Sequence, residues 1–192
     1  KINNETILEI LIKRLSKSKI ISKIIVACSS NILDKKILDL CNKIGIDCFV
    51  GAETNVLDRF YKAAQKYDAK NVLRITGDCP LVDYKIVDLV IKNFFSKKVD
   101  FASNVNPPTF PDGLDVEIFN FRTLQSAYNN AKSKYDKEHV TPYIIKNKKF
   151  SKFNLENSED LSRLRVTLDG KKDFQTIEKI IKHFKKKLHF DL

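Results

Sequence analysis

A chain of 192 residues has room for one domain, at most with a small lobe, and excludes an elaborate multidomain assembly. With 43% hydrophobic and 31% charged residues, and only 5 Gly and 5 Pro, it can build a core and is neither disordered nor fibrous. The net charge of +11 comes from 29 Lys and 6 Arg set against 24 Asp and Glu; a Lys excess spread along every segment reads as compositional bias, not as an Arg-rich nucleic-acid surface, and it suits a small polyanionic substrate.

Thr6-Ile-Leu-Glu9 has capping-box spacing, and the apolar residues Ile7, Leu8, Leu11, Ile12 and Leu15 follow at helical intervals, which predicts a helix over 6–18. The β-branched run over 23–28 predicts a buried strand, the amphipathic stretch 32–44 a helix closed by Gly45, and 46–50 a second strand. The alternation continues with a helix over 55–67, a strand over 71–75, a helix over 83–96 and a strand over 100–103. This is a βαβ series around a parallel sheet. A rigid Pro-rich loop over 106–113 then leads to a half-exposed strand over 114–118, helices over 121–131 and 137–147, strands near 151–155 and 164–168, and a closing helix over 173–187 with a basic, solvated face. A doubly wound sheet grows from a central first strand, yet this chain opens on a helix. The expectation is therefore a single domain over 1–192 that lacks its first strand, leaving the strands at 23–28 and 71–75 beside an empty slot.

Cys28, Cys41, Cys48 and Cys79 form no CxxC pair and no zinc spacing, so buried reduced thiols are expected. The absence of an apolar run near ~20 residues and of a signal peptide predicts a cytoplasmic chain without membrane insertion. No methionine occurs, consistent with a chain that begins downstream of its gene's start.

Five segments carry candidate chemistry. In Arg74-Ile-Thr-Gly-Asp-Cys-Pro80 a strand runs into Thr76, Gly77 and Asp78, the end at which open α/β sheets bind ligands; a carboxylate there suits Mg²⁺ on phosphates. An ordinary Asp turn is the alternative. Val166-Thr-Leu-Asp169 repeats the strand-to-acid pattern, and Asp173 reads as the N-cap of the last helix. Asp115 and Glu117 share one face of the strand after Asp112, placed either to meet hydroxyl groups or to face solvent. Glu138-His139 lies near a helix start, and Asp58-Arg59 sits on the helix over 55–67, open to phosphate or to a surface pair.

Taken in order, Val56-Leu-Asp-Arg-Phe60, Arg74-Ile-Thr-Gly-Asp-Cys-Pro-Leu81, Phe110-Pro-Asp-Gly-Leu-Asp-Val-Glu117, Glu138-His-Val-Thr-Pro-Tyr143 and Leu168-Asp169 resemble the cytidylyltransferase family, nearest the branch of spore coat polysaccharide biosynthesis protein F. The resemblance implies a Rossmann-like nucleotidyltransferase fold with a mixed sheet flanked by helices. It further implies transfer of CMP from CTP to a sugar, with release of pyrophosphate, in cell-surface polysaccharide synthesis. By the same resemblance Asp78 and Asp169 hold Mg²⁺, with Arg74 beside them in catalysis. Asp58, Arg59, Thr76 and Gly77 border the nucleotide, while Asp112, Asp115, Glu117, Glu138 and His139 shape the acceptor pocket. Such relatives are often homodimers. The family's opening strand and phosphate loop do not precede Lys1, so little turnover is expected of the chain as it stands. Gly170-Lys171-Lys172 also replaces the family's usual turn after the second metal Asp. Two rival readings are a glycosyltransferase, which would carry a paired Asp-x-Asp that Gly77-Asp-Cys-Pro80 lacks, and a basic binding module that keeps the fold without the chemistry.

Overall fold

The computed structural model describes residues 1–184. In chain order the elements are α1 (Ile7–Leu15), β1 (Ile25–Ser29), a 3-10 turn (Ile32–Asp34), α2 (Lys35–Ile44), β2 (Asp47–Gly51), α3 (Val56–Lys66), β3 (Asn71–Arg74), α4 (Tyr84–Lys97), β4 (Phe101–Ser103), β5 (Glu117–Asn120), α5 (Phe121–Asn130), α6 (Lys134–His139), α7 (Pro142–Lys146), β6 (Lys152–Asn154) and α8 (Lys171–His183). The described strands form two sheets, a parallel β1-β2 pair and a four-stranded sheet of order β3-β5-β4-β6. β1 and β3 thus belong to different sheets.

The chain divides into two compact units. The first comprises Lys1–Ser22, Leu73–Ile118 and the described residues from Phe153 onward; the second comprises Lys23–Val72 and Phe119–Lys152. In the first unit, α1 starts on the expected capping box: the Thr6 hydroxyl accepts from Glu9 N at 3.2 Å, and the Glu9 carboxylate accepts from Thr6 N at 2.7 Å. Its apolar stripe delivers Ile10 into a cluster with Ile2, Leu81, Ile177 and Ile181, against which Val166, Leu168 and Phe174 also pack. Each such side chain contributes roughly 1.5–3 kcal/mol by leaving water. The cluster anchors Leu81 and Leu168, the residues flanking the two candidate metal loops. Arg14, only 3% exposed, donates from Nε to Val82 O at 2.8 Å and fixes the segment that follows Pro80.

In the second unit, β1 and β2 run in register from Ile25 opposite Asp47 to Ser29 opposite Gly51, joined through α2, which ends at Gly45 with φ +71° as expected. Tyr61 of α3 stacks on Tyr128 and Phe121 of α5, with ring centroids 4.1 and 5.6 Å apart.

Several boundaries differ from the sequence expectation for local reasons. The helix expected over 137–147 is two short helices, because Val140 takes φ +71° and Pro142 starts a new turn at N1. Glu138-His139 therefore ends a helix and does not begin one. The strand expected over 114–118 starts only at Glu117. Before it, the buried Asn104 side chain stands in for a neighbouring strand, donating to Leu114 O at 2.9 Å and accepting from Val116 N at 2.8 Å. Residues 164–168 form no strand; they meet Asp112 through a single parallel bridge at Arg165. The last helix starts two residues earlier than expected, with Gly170 as N-cap and Asp173 inside its first turn. The expected continuation over 185–187 lies outside the described residues.

Candidate active site

The first unit gathers Arg74, Thr76, Gly77, Asp78, Asp112, Asp115, Glu117 and Asp169. β3 ends at Arg74, whose Nη1 donates to Glu117 Oε2 at 2.6 Å; the two side chains are 17% and 6% exposed. Beyond the strand the chain turns tightly, with Cys79 N donating to Thr76 O at 3.3 Å and the Thr76 hydroxyl 3.0 Å from Cys79 Sγ. A Cβ built on Gly77 would meet nothing within 4 Å, so the surface over this turn is open. Cys79 is no nucleophile: burial first, then the negative charges of Asp78 and Asp115, push its thiol up to about 12.

The acidic loop is pinned from two sides. Asp112 N donates to Leu164 O at 2.9 Å and Val166 N to Asp112 O at 2.7 Å, while Leu168 N donates to Asp78 O at 2.8 Å. Main-chain bonds therefore bring the loops of Asp78, Asp112 and Asp169 side by side. Gly113 is required here, since at φ +105° an added Cβ would lie 2.7 Å from Thr167 N and 2.8 Å from Val166 C.

These carboxylates differ in what already occupies them. Glu117 is taken by Arg74, and Asp112 Oδ2 accepts from Arg165 Nε at 3.0 Å and from the Thr167 hydroxyl at 3.3 Å. Asp169 accepts from Arg165 Nη2, and Asp173 Oδ1 lies 3.7 Å from Arg165 Nη1. Asp173 also accepts from the N–H groups of Asp169 at 3.0 Å and Gly170 at 2.8 Å, which hold its carboxyl below the usual range. The reading of Asp173 as N-cap is thus corrected: it serves the helix start from three residues inside, and it braces the Asp169 loop. Asp115 makes no ion pair with a described residue. Burial, then the charges of Asp112 and Glu117, raise its carboxyl to about 6, against a smaller lowering pull from Arg74.

Asp115 should therefore leave a pH signature. Its folded pKa lies above the unfolded value, so the ionised form opposes folding; stability falls as pH rises from about 4 through about 6 and then levels off. After discounting for partial exposure, Asp115→Asn should gain about 1 kcal/mol at pH 7.5 and almost nothing at pH 3.5. Urea unfolding at the two pH values checks this, and an equal gain at both would remove the assignment.

The second unit holds the remaining candidates. Asp58, 8% exposed, pairs with Lys62 at 3.0 Å, and Arg59 Nη1 donates to Ala52 O at 2.6 Å. Asp58 also lines an open cavity of about 310 Å³ with Asn55, Tyr128, Asn129 and Lys137. Glu138 and His139 are not among its lining residues, and the His139 ring lies 4.4 Å from that of Tyr135.

Arg165 is the residue that sequence reasoning missed. The available signal was scarcity: among only 6 Arg in a Lys-rich chain, Arg14, Arg59, Arg74 and Arg165 all use the planar fork for directed bonds that a Lys would not reproduce.

No helix among the described residues is long and apolar enough to cross a membrane. Residues 1–191 match the family model described as Cytidylyltransferase. The spore coat polysaccharide biosynthesis protein SpsF of Bacillus subtilis is 28% identical over 190 residues, covering 92% of this chain and 76% of that protein. A cytidylyltransferase structure from Leptospira borgpetersenii superposes with a TM-score of 0.95 at 31% identity, covering 100% of this chain and 81% of the other. A CMP:2-keto-3-deoxy-manno-octonic acid synthetase complexed with CTP matches at a TM-score of 0.73 and 10% identity, over 96% and 90% of the two chains, a likeness of fold. With its mixed α/β architecture of helices around two sheets, this chain belongs to the cytidylyltransferase family.

Proposed function

We propose that the protein transfers CMP from CTP to a sugar, releasing pyrophosphate, in the synthesis of a cell-surface polysaccharide. The observation that carries this reading is the meeting of the Asp78, Asp112 and Asp169 loops beyond the end of β3, in a chain matched to the cytidylyltransferase model over 1–191. The likeness to SpsF supports the polysaccharide setting, and the CTP-bound relative supports the nucleotide.

The donor set fits Mg²⁺. Asp78 and Asp169 offer hard carboxylate oxygens from loops tied by the Leu168 N to Asp78 O bond, and no cluster of three or more Asp, Glu, His or Cys among the described residues would hold a metal by protein alone. Magnesium commonly takes one or two carboxylates and completes its shell with phosphate and water. When bound, it would neutralise charge on the triphosphate. The chain's own part is positioning. Glu117 holds Arg74 at the end of β3, and beyond it Gly77 leaves an open floor beside Thr76 for the nucleotide. Asp115, ionised above about pH 6, accepts a hydrogen bond or a proton from an acceptor hydroxyl. From the family resemblance, Asp58 and Arg59 are proposed to bind nucleotide, and Glu138 and His139 to bind the acceptor. A homodimer is proposed on family grounds.

The test is pyrophosphate release by the intact gene product from CTP, Mg²⁺ and candidate acidic sugars. Turnover should require CTP over other nucleoside triphosphates, and Asp78→Ala or Asp169→Ala should lower it by about 100-fold or more. Undiminished turnover in both variants removes the metal assignment; hydrolysis of nucleotide sugars without pyrophosphate release from CTP removes the reading itself.

A further inference from the structure

The second candidate metal carboxylate is already engaged. The Arg165 guanidinium spreads its donors over three acids, with Nη2 on Asp169, Nε on Asp112 at 3.0 Å and Nη1 3.7 Å from Asp173. Those acids come from two loops and the first turn of α8. The arrangement is half-exposed: the Arg165, Asp112 and Asp169 side chains are 45%, 47% and 62% accessible, so the contact to Asp169 can open without unpacking a core. The framework does not depend on it either. Main-chain bonds hold the loop on both sides of Arg165, and Asp173 braces Asp169 and Gly170 through their N–H groups.

A guanidinium and a divalent cation cannot share the Asp169 carboxylate at low cost, because their like charges would stand a few ångströms apart. A bare ion must therefore displace Arg165 and leave a positive charge beside itself. An ion that arrives on a triphosphate brings compensating negative charge, and the displaced guanidinium gains an anionic partner. Resting on the reading of Asp169 as a metal ligand, we propose that Arg165 is a positioning residue that acts as a counter-cation gate: it keeps a bare divalent ion off Asp169 and yields the carboxylate to an ion accompanied by nucleotide. Metal and nucleotide binding are thereby coupled through one side chain.

Mn²⁺ affinity read by electron paramagnetic resonance, with and without CTP, tests this on the intact protein. Wild type should bind Mn²⁺ weakly alone and more tightly with CTP. Arg165→Gln should tighten Mn²⁺ binding without CTP by about tenfold, the order set by a unit charge a few ångströms from a divalent ion near water's dielectric, and should shrink the CTP enhancement by a similar factor. Arg165→Lys, which keeps the charge but loses the fork, should tighten it less. An Arg165→Gln affinity equal to or weaker than wild type overturns the gate, as does an Arg165→Lys variant that tightens more than Arg165→Gln. Asp169→Asn separates the two readings: if it leaves Mn²⁺ binding unchanged, the metal assignment itself falls, whereas if it weakens binding while Arg165→Gln does not tighten it, only the gate does.

Discussion

Glu117→Gln should cost the fold about 3 kcal/mol, because it leaves the Arg74 guanidinium, only 17% exposed at its side chain, without its charge partner. The wild-type pair is short at 2.6 Å and lies where β3 and β5 carry the candidate site. A buried ion pair contributes little net stability when both partners are present, but it costs several kcal/mol to break from one side. The double variant Arg74→Met with Glu117→Leu should therefore recover most of the loss in urea or thermal unfolding, while remaining inactive. A single variant that loses under 1 kcal/mol, or a double variant no more stable than the single, would show that the two side chains do not depend on each other for their burial.

Gly113→Ala should be as damaging, at roughly 3 kcal/mol, for a different reason. A φ of +105° excludes side chains, and the new methyl group would fall 2.7 Å from Thr167 N, a main-chain atom that cannot rotate away. The relief must come from moving residues 166–169, which carry Asp169. Stability and Mn²⁺ affinity should fall together, and a variant that binds Mn²⁺ normally would mean the loop gives elsewhere.

Much of this architecture was legible because the early chain obeys simple periods. β1, α2, β2, α3, β3 and α4 all appear within a few residues of their expected places, and the capping box at Thr6 and the left-handed Gly45 were readable from residue type alone. The later chain was harder because tertiary partners replace regular pairing. Asn104 satisfies Leu114 and Val116 with a side chain, so alternation there did not produce a strand; residues 164–168 spend their main-chain bonds on Asp112 and Asp78, in a pattern that hydropathy does not encode. Val140 took a positive φ that no β-branched residue announces. Of the candidate site, the strand-end motif at Arg74 to Pro80 and the acids after it stood out, because their chemistry is local. The occupancy of those acids was not visible. That Glu117 belongs to Arg74 and Asp112 to Arg165 are facts of distance between residues far apart in sequence, while the Arg165 contact to Asp169, four residues on, and the raised carboxyl of Asp115 depend on how those segments are buried and turned.

The cysteines carry a last consequence. Cys79 is sealed in the first unit at 1% exposure, while Cys28 and Cys41 are sealed in the second at 5% and 0%. Burial also pushes the Cys28 thiol up to about 11 and that of Cys79 up to about 12, so neither reacts appreciably from the closed state. Alkylation at each must wait for its own unit to breathe open. The protein thus comes with two native clocks, and site-resolved mass spectrometry of alkylated cysteines would time the opening of each half separately, with no label engineered in.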